Sequence, residues 1–146
     1  VADGVRVYDD FAHHPTAVLE TLRGLRARHP DGKLIAMFEP RSATASRKLH
    51  QEAYASAFEA ADLAILAPVG RKEIAAGERL DVDSLAQEIA RTGKPALAPS
   101  DHEAIIALLE REARPGDTVV AMSNGDFGGI VNRAVAALSA RALPRD

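Results

Sequence analysis

The chain has 146 residues, 47% of them hydrophobic; that suits one domain burying roughly 70% of its unfolded surface without staples. With no cysteine, a net charge of −3 spread over interspersed signs, four Phe, two Tyr and no Trp, it has no disulfide framework or thiolate metal site, and it lacks the basic stripe and stacking rings of a nucleic-acid partner. No apolar run approaches the roughly 20 residues of a membrane span and no signal segment opens the chain, so a cytoplasmic protein without membrane contact is expected.

The first residue is not Met and a strand begins within about five residues, as in a domain cut from a longer polypeptide. Val5-Arg6-Val7-Tyr8 alternates like a short strand. Pro15 then opens a helix to about Arg28, with Val18, Leu19, Leu22 and Leu25 as its apolar stripe and His29-Pro30-Asp31-Gly32 as its stop. Lys33 to Phe38 is a uniformly apolar run, too short for an amphipathic helix, and reads as a buried strand. Glu39-Pro40-Arg41-Ser42 breaks it.

A second helix is predicted over about Lys48 to Ala61, and Asp62 hands over to the strand Leu63 to Ala67. Pro68 to Glu78 forms the longest loop. Asp81 or Asp83 caps the next helix, which runs to Thr92 with Gly93 as its stop, and Ser84 with Gln87 offers a capping box. Ala96-Leu97-Ala98 is a minimal strand. Ser100 to Glu103 has the spacing of a capping box ahead of Ile105, Ile106, Leu108 and Leu109. Thr118 to Met122 is the last strand, and Gly128-Gly129 begins a closing helix through Ile130, Val131, Ala134, Val135 and Leu138. The tail from Arg141 to Asp146 loses periodicity and is expected to fray.

Strand and helix thus alternate along the whole chain. The economical architecture is α/β: a Rossmann-like, three-layer domain with a mostly parallel sheet of about five to six strands and helices on both faces.

Three polar loops follow three strands, at Asp9 to His14, Glu39 to Arg47 and Ser123 to Gly129. In open α/β sheets ligands bind at the carboxyl ends of strands, so convergence of these loops is the functional argument. The first places two carboxylates and two imidazoles between a strand and a helix N-terminus, where free N–H groups and a partial positive charge favour an anion. Helix capping by Asp9 or Asp10, with solvated histidines, is the simpler alternative. Adjacent histidines seldom face one ion, so no metal ligand is assigned.

In the second loop, the planar fork of Arg41 suits a carboxylate or phosphate, although an arginine with no ligand would look the same. In the third, Ser123-Asn124-Gly125 and Gly128-Gly129 would let backbone N–H groups approach a ligand. The sequence has neither a Gly-Lys-Ser/Thr phosphate loop nor a Gly-x-Ser-x-Gly elbow, which leaves no support for a complete nucleotide site or a hydrolase nucleophile. His50 and His102 lie in helical segments and read as surface or capping residues.

Asp9-Asp10-Phe11-Ala12-His13-His14-Pro15-Thr16 resembles the loop that opens the C-terminal domain of the Mur ligases, ATP-dependent amide-forming enzymes of peptidoglycan precursor synthesis. Phe38-Glu39-Pro40-Arg41-Ser42 and Met122 to Ile130 are similar to the murein peptide ligase branch. Ligases adding L-alanine to UDP-N-acetylmuramate typically have Phe-Gln-Pro-His-Arg at the second motif and a different last loop. The three motifs occur in the family's order and span essentially the whole chain, residues 1 to 146.

The resemblance implies the C-terminal, substrate-delivering domain of a three-domain ligase that joins the tripeptide L-alanyl-γ-D-glutamyl-meso-diaminopimelate to UDP-N-acetylmuramate in peptidoglycan recycling. ATP and Mg2+ would be held mainly by the central domain and the UDP-sugar by the N-terminal domain, so this chain alone is expected to be inactive. Residue by residue, the resemblance puts Asp10, His13 and His14 at the nucleotide, with His13 as the catalytic candidate facing the phosphates. It puts Phe11, Arg41, Ser42, Ser123, Asn124, Gly125 and Phe127 at the amino substrate; a long tripeptide needs a roomy, polar-edged pocket, for which the Pro68 to Glu78 loop offers a wall. The alternatives are the equivalent domain of the L-alanine-adding ligase and a free-standing flavodoxin-like module that binds a nucleotide or magnesium.

Overall fold

A computed structural model describes residues 2–40, 51–68, 81–123 and 127–142. Elements run in the order β1 (Arg6–Asp10), α1 (Pro15–Arg28), β2 (Leu34–Phe38), α2 (Gln51–Ala57), β3 (Leu63–Leu66), α3 (Val82–Arg91), β4 (Ala96–Leu97), α4 (His102–Glu112), β5 (Thr118–Met122) and α5 (Ile130–Ala142). The strands form one sheet in the order β1-β5-β2-β3-β4, with every pairing parallel. This is the expected α/β class, and the sheet has the lower of the two expected strand numbers.

Side-chain alternation along the strands divides the core into two layers. Leu34, Ala36 and Phe38 of β2 face Val18 and Leu22 of α1, Tyr54 of α2, and Leu85 and Ile89 of α3. Ile35 and Met37 face the other way, against Ile105 and Leu109 of α4 and Ile130, Ala134 and Leu138 of α5. β2 and β5 are buried at every position, as parallel strands covered on both faces must be. No helix among the described residues is long and apolar enough to cross a membrane.

Several boundaries depart from expectation, each for a local reason. β1 continues through Asp9 and Asp10, which pair with Ala121 and Met122, so the two carboxylates end the strand rather than sit in the turn. Backbone pairing with β5 does not depend on how polar the side chains are. α2 stops at Ala57, with a turn over residues 58–60.

Asp101, not Ser100, caps α4 by accepting from the Ala104 N–H at 2.8 Å, and Asp81 caps α3 through the Ser84 N–H at 3.0 Å. Gly128 and Gly129 precede α5 instead of beginning it: their φ values of +57° and +69° are left-handed, and they form a single 3-10 turn with Phe127. The predicted start of the second helix at Lys48, the loop beyond Pro68 to Glu78 and the tail beyond Ala142 lie outside the described residues.

Candidate functional site

β1, β5 and β2 are neighbours in the sheet, and all three point the same way. Asp10, Met122 and Phe38 stand in register at their carboxyl ends, so the three polar loops leave one rim at the same level. Backbone hydrogen bonds tie their first residues together: the Ser123 N–H donates to the Asp10 carbonyl at 3.2 Å, and the Glu39 N–H to the Met122 carbonyl at 3.0 Å. After β1 the chain enters α1 on one face, and after β5 it reaches α5 on the other. Adjacent strands whose helices part to opposite faces open a crevice at the rim, the usual ligand position in such sheets. β5 has such a partner on both sides, since α2 follows β2 on the face of α1.

The first loop is built by its own side chains. The Asp10 Oδ1 accepts from the Ala12 N–H at 2.8 Å and lies 3.5 Å from the Thr21 hydroxyl of α1. Neither Asp9 nor Asp10 caps α1; His14 occupies that position without a capping bond from its side chain, and the first helical turn has no acidic residue. The end of α1 therefore keeps its partial positive charge facing the crevice. The Tyr54 hydroxyl, reaching up from the core, donates to the His13 carbonyl, and burial pushes that hydroxyl's pKa up, so it stays a donor.

His13 Nδ1 lies 2.8 Å from the Phe11 carbonyl. A carbonyl can only accept, so Nδ1 carries a proton in this contact and Nε2 is the nitrogen that remains for another partner. Phe11 is 69% exposed and stands edge-on to the His13 ring, and His13 and His14 lie side by side with ring centres 4.7 Å apart.

The other two loops meet below the rim. Glu39, at the end of β2, is only 3% exposed; its Oε1 accepts from the Ser123 hydroxyl at 3.0 Å, and its Oε2 lies 3.7 Å from His102 Nε2. Ser123 is buried as well, so its side chain faces Glu39. Phe127 lies under the rim with its ring 5.6 Å from the His102 ring and packs into the α4–α5 core layer. Arg41, Ser42, Asn124 and Gly125 lie outside the described residues, as does His50. Among the described residues no three His, Asp or Glu side chains gather as a metal ion would require.

Glu39, Tyr54 and His102 carry this architecture; sequence reasoning placed Glu39 at the head of the second loop without a role of its own and did not assign Tyr54 or His102 to the site. An acidic residue directly after a buried apolar run was a usable signal for Glu39. His102 had none, because only the return of α4 beneath the sheet brings it to the ends of β2 and β5.

Comparison with known proteins gives the family. The family profile described as "Mur ligase, glutamate ligase domain" matches residues 1–125. The UDP-N-acetylmuramate–L-alanine ligase of Symbiobacterium thermophilum is 37% identical over 98% of the chain and 30% of its own length. The UDP-N-acetylmuramate–L-alanyl-γ-D-glutamyl-meso-2,6-diaminoheptandioate ligase of Escherichia coli is 33% identical over 97% of the chain and 29% of its own length.

Among solved structures, the murein peptide ligase of Psychrobacter arcticus superposes with a TM-score of 0.76 at 30% identity, over 99% of the chain and 29% of that protein. A domain of a putative ligase of the same kind from Haemophilus ducreyi superposes at 0.73 with 28% identity, over 94% of each chain. The chain spans about 30% of the length of the curated relatives it matches. With the three motifs on one rim and a family profile across residues 1–125, the chain belongs to the Mur ligase family, as its C-terminal, glutamate ligase domain.

Proposed function

We propose that this chain is the substrate-delivering domain of a three-domain ATP-dependent ligase of the cytoplasm that joins L-alanyl-γ-D-glutamyl-meso-diaminopimelate to UDP-N-acetylmuramate in peptidoglycan recycling. The observation that carries the reading is the gathering of the three motif loops on the rim of β1, β5 and β2, around a positively tipped helix end. In the proposed reaction ATP phosphorylates the muramate carboxylate, releasing ADP, and the tripeptide amine attacks the acyl phosphate and expels phosphate. The rest of the enzyme would hold ATP, Mg2+ and the UDP-sugar.

On this reading Asp10 contacts the nucleotide ribose, with His14 beside it, and His13 Nε2 faces the phosphates. An imidazole and a helix N-terminus stabilise negative charge that develops during phosphoryl and acyl transfer. Phe11, Arg41, Ser42, Asn124 and Gly125 would line the amine substrate's pocket. Ser123 and Phe127, both buried here, would shape that pocket from beneath. Closure of the domain over its neighbour would exclude water from the acyl phosphate.

A second reading is the L-alanine-adding ligase, favoured by the 37% identity to the Symbiobacterium enzyme. The tripeptide reading draws on the Phe38 to Ser42 motif and on the two structural neighbours. The deciding experiment gives the full-length enzyme ATP, magnesium and UDP-N-acetylmuramate, with tripeptide or L-alanine as the amine, and follows phosphate release and product mass. Tripeptide is expected to give the higher kcat/KM. A preference for L-alanine would select the second reading.

A further inference from the structure

His102 belongs to α4, on the far side of the sheet from the nucleotide-facing loop, yet its imidazole touches both of the other rim loops. On one side Nε2 faces the Glu39 carboxylate at 3.7 Å. On the other, the ring lies against the Phe127–Gly129 turn: a Cβ on Gly128 would come within 2.4 Å of His102 Nδ1, closer than non-bonded atoms approach. Gly128 also has φ +57°, so glycine meets two demands there, a left-handed backbone and room for the imidazole.

Glu39 is removed from water, and a buried carboxylate is costly unless hydrogen bonds and charge surround it. The Ser123 hydroxyl serves one oxygen, and His102 stands at the other. The line Ser123–Glu39–His102–Gly128 therefore crosses from the end of β5 to the end of β2 and back to the turn after β5.

We infer that His102 is a positioning residue for the amine-substrate pocket: wedged between the Glu39 carboxylate and the Phe127–Gly128 turn, it fixes the residue that follows β2 against the turn that leads into α5. In the chain, Arg41 and Ser42 follow Glu39 closely and Asn124 and Gly125 precede Phe127; the proposed function assigns these four residues to that pocket, and the inference rests on that reading. His102 does not touch substrate. Its effect falls first on Glu39 and the turn before α5, because the Asp10–His14 loop, although joined to Ser123 through the Asp10 carbonyl, has anchors of its own in the Ala12 N–H, Thr21 and Tyr54.

The test uses the full-length enzyme with His102→Ala, His102→Gln and Gly128→Ala, measuring KM for ATP and for the amine substrate separately, kcat, and Tm. Losing one positioning contact is worth about a tenfold change. His102→Ala and Gly128→Ala are therefore expected to raise the amine-substrate KM about tenfold while KM for ATP stays within about twofold. His102→Gln, which keeps an N–H toward Glu39, should recover most of the loss.

Equal rises in both KM values, a Tm fall that tracks the activity loss, or failure of His102→Gln to outperform His102→Ala would each overturn the inference. If wild type ligates and His102→Ala matches it, the positioning role alone fails. A wild-type enzyme that forms no amide with either amine overturns the proposed function, and the inference falls with it.

Discussion

At the scale of single residues, hydrogen bonding assigns roles to side chains that composition leaves equivalent. His13 and His14 are adjacent, but His13 is fixed by its Nδ1 contact with the Phe11 carbonyl and by the Tyr54 hydroxyl on its own carbonyl, whereas His14 serves as the backbone N-cap of α1. His13→Ala in the full-length enzyme is expected to lower kcat by about 10²-fold, the usual range for a group stabilising developing charge, and to leave Tm within about 2 °C. Tyr54→Phe keeps the ring in its aromatic cluster with Phe38 and Phe58 and removes only the hydroxyl, so it should lower both stability, by about 1 kcal/mol, and kcat. Unchanged kinetics for His13→Ala would remove this residue from the site.

At the scale of elements, two aspartates staple the turns that start the central strands. The buried Asp117 accepts from the Lys33 N–H through Oδ1 and from the Arg114 N–H through Oδ2, both at 2.9 Å, joining the turns before β2 and β5. Asp62 does the same between β3 and β2, accepting from the Leu34 N–H at 2.8 Å and pairing with Arg26 of α1. Asp117→Ala would leave two N–H groups without acceptors, a loss of about 3 kcal/mol and a fall in Tm of about 10 °C by chemical denaturation and calorimetry. Asp117→Asn, which keeps one carbonyl acceptor, should lose less. The elements themselves were largely legible because period-2 and period-3.6 patterning reports which face is buried. The ends of β1, α2 and α4 were not, because strand pairing and the choice between neighbouring caps are settled by contacts that periodicity does not encode.

At the scale of the molecule, the order β1-β5-β2-β3-β4 inserts the last strand between the first two. That insertion assembles the rim: without it the loops after β1 and β2 would be neighbours, and the Ser123 loop would lie elsewhere. On the proposed function that rim is one part of a cleft, which bears on what the isolated chain can do. With two covered sheet faces it is expected to unfold cooperatively, to show little heat on titration with ATP and magnesium, and to form no amide. Binding of ATP at micromolar affinity by the isolated chain would favour a self-sufficient nucleotide-binding module, and robust ligation by it would refute the division of labour proposed above.

The sequence by itself determined the layered α/β class, the alternation of strands and helices, and the three loops that carry polar chemistry. Each of these is written in local periodicity and local turn residues. Only the tertiary structure decided that those loops share one rim, that Ser123 and Phe127 lie beneath it, and that Glu39 and His102 meet there. Those facts depend on strand order and on the path of α4 under the sheet, and contacts between residues far apart in the chain leave no mark on the spacing of their neighbours.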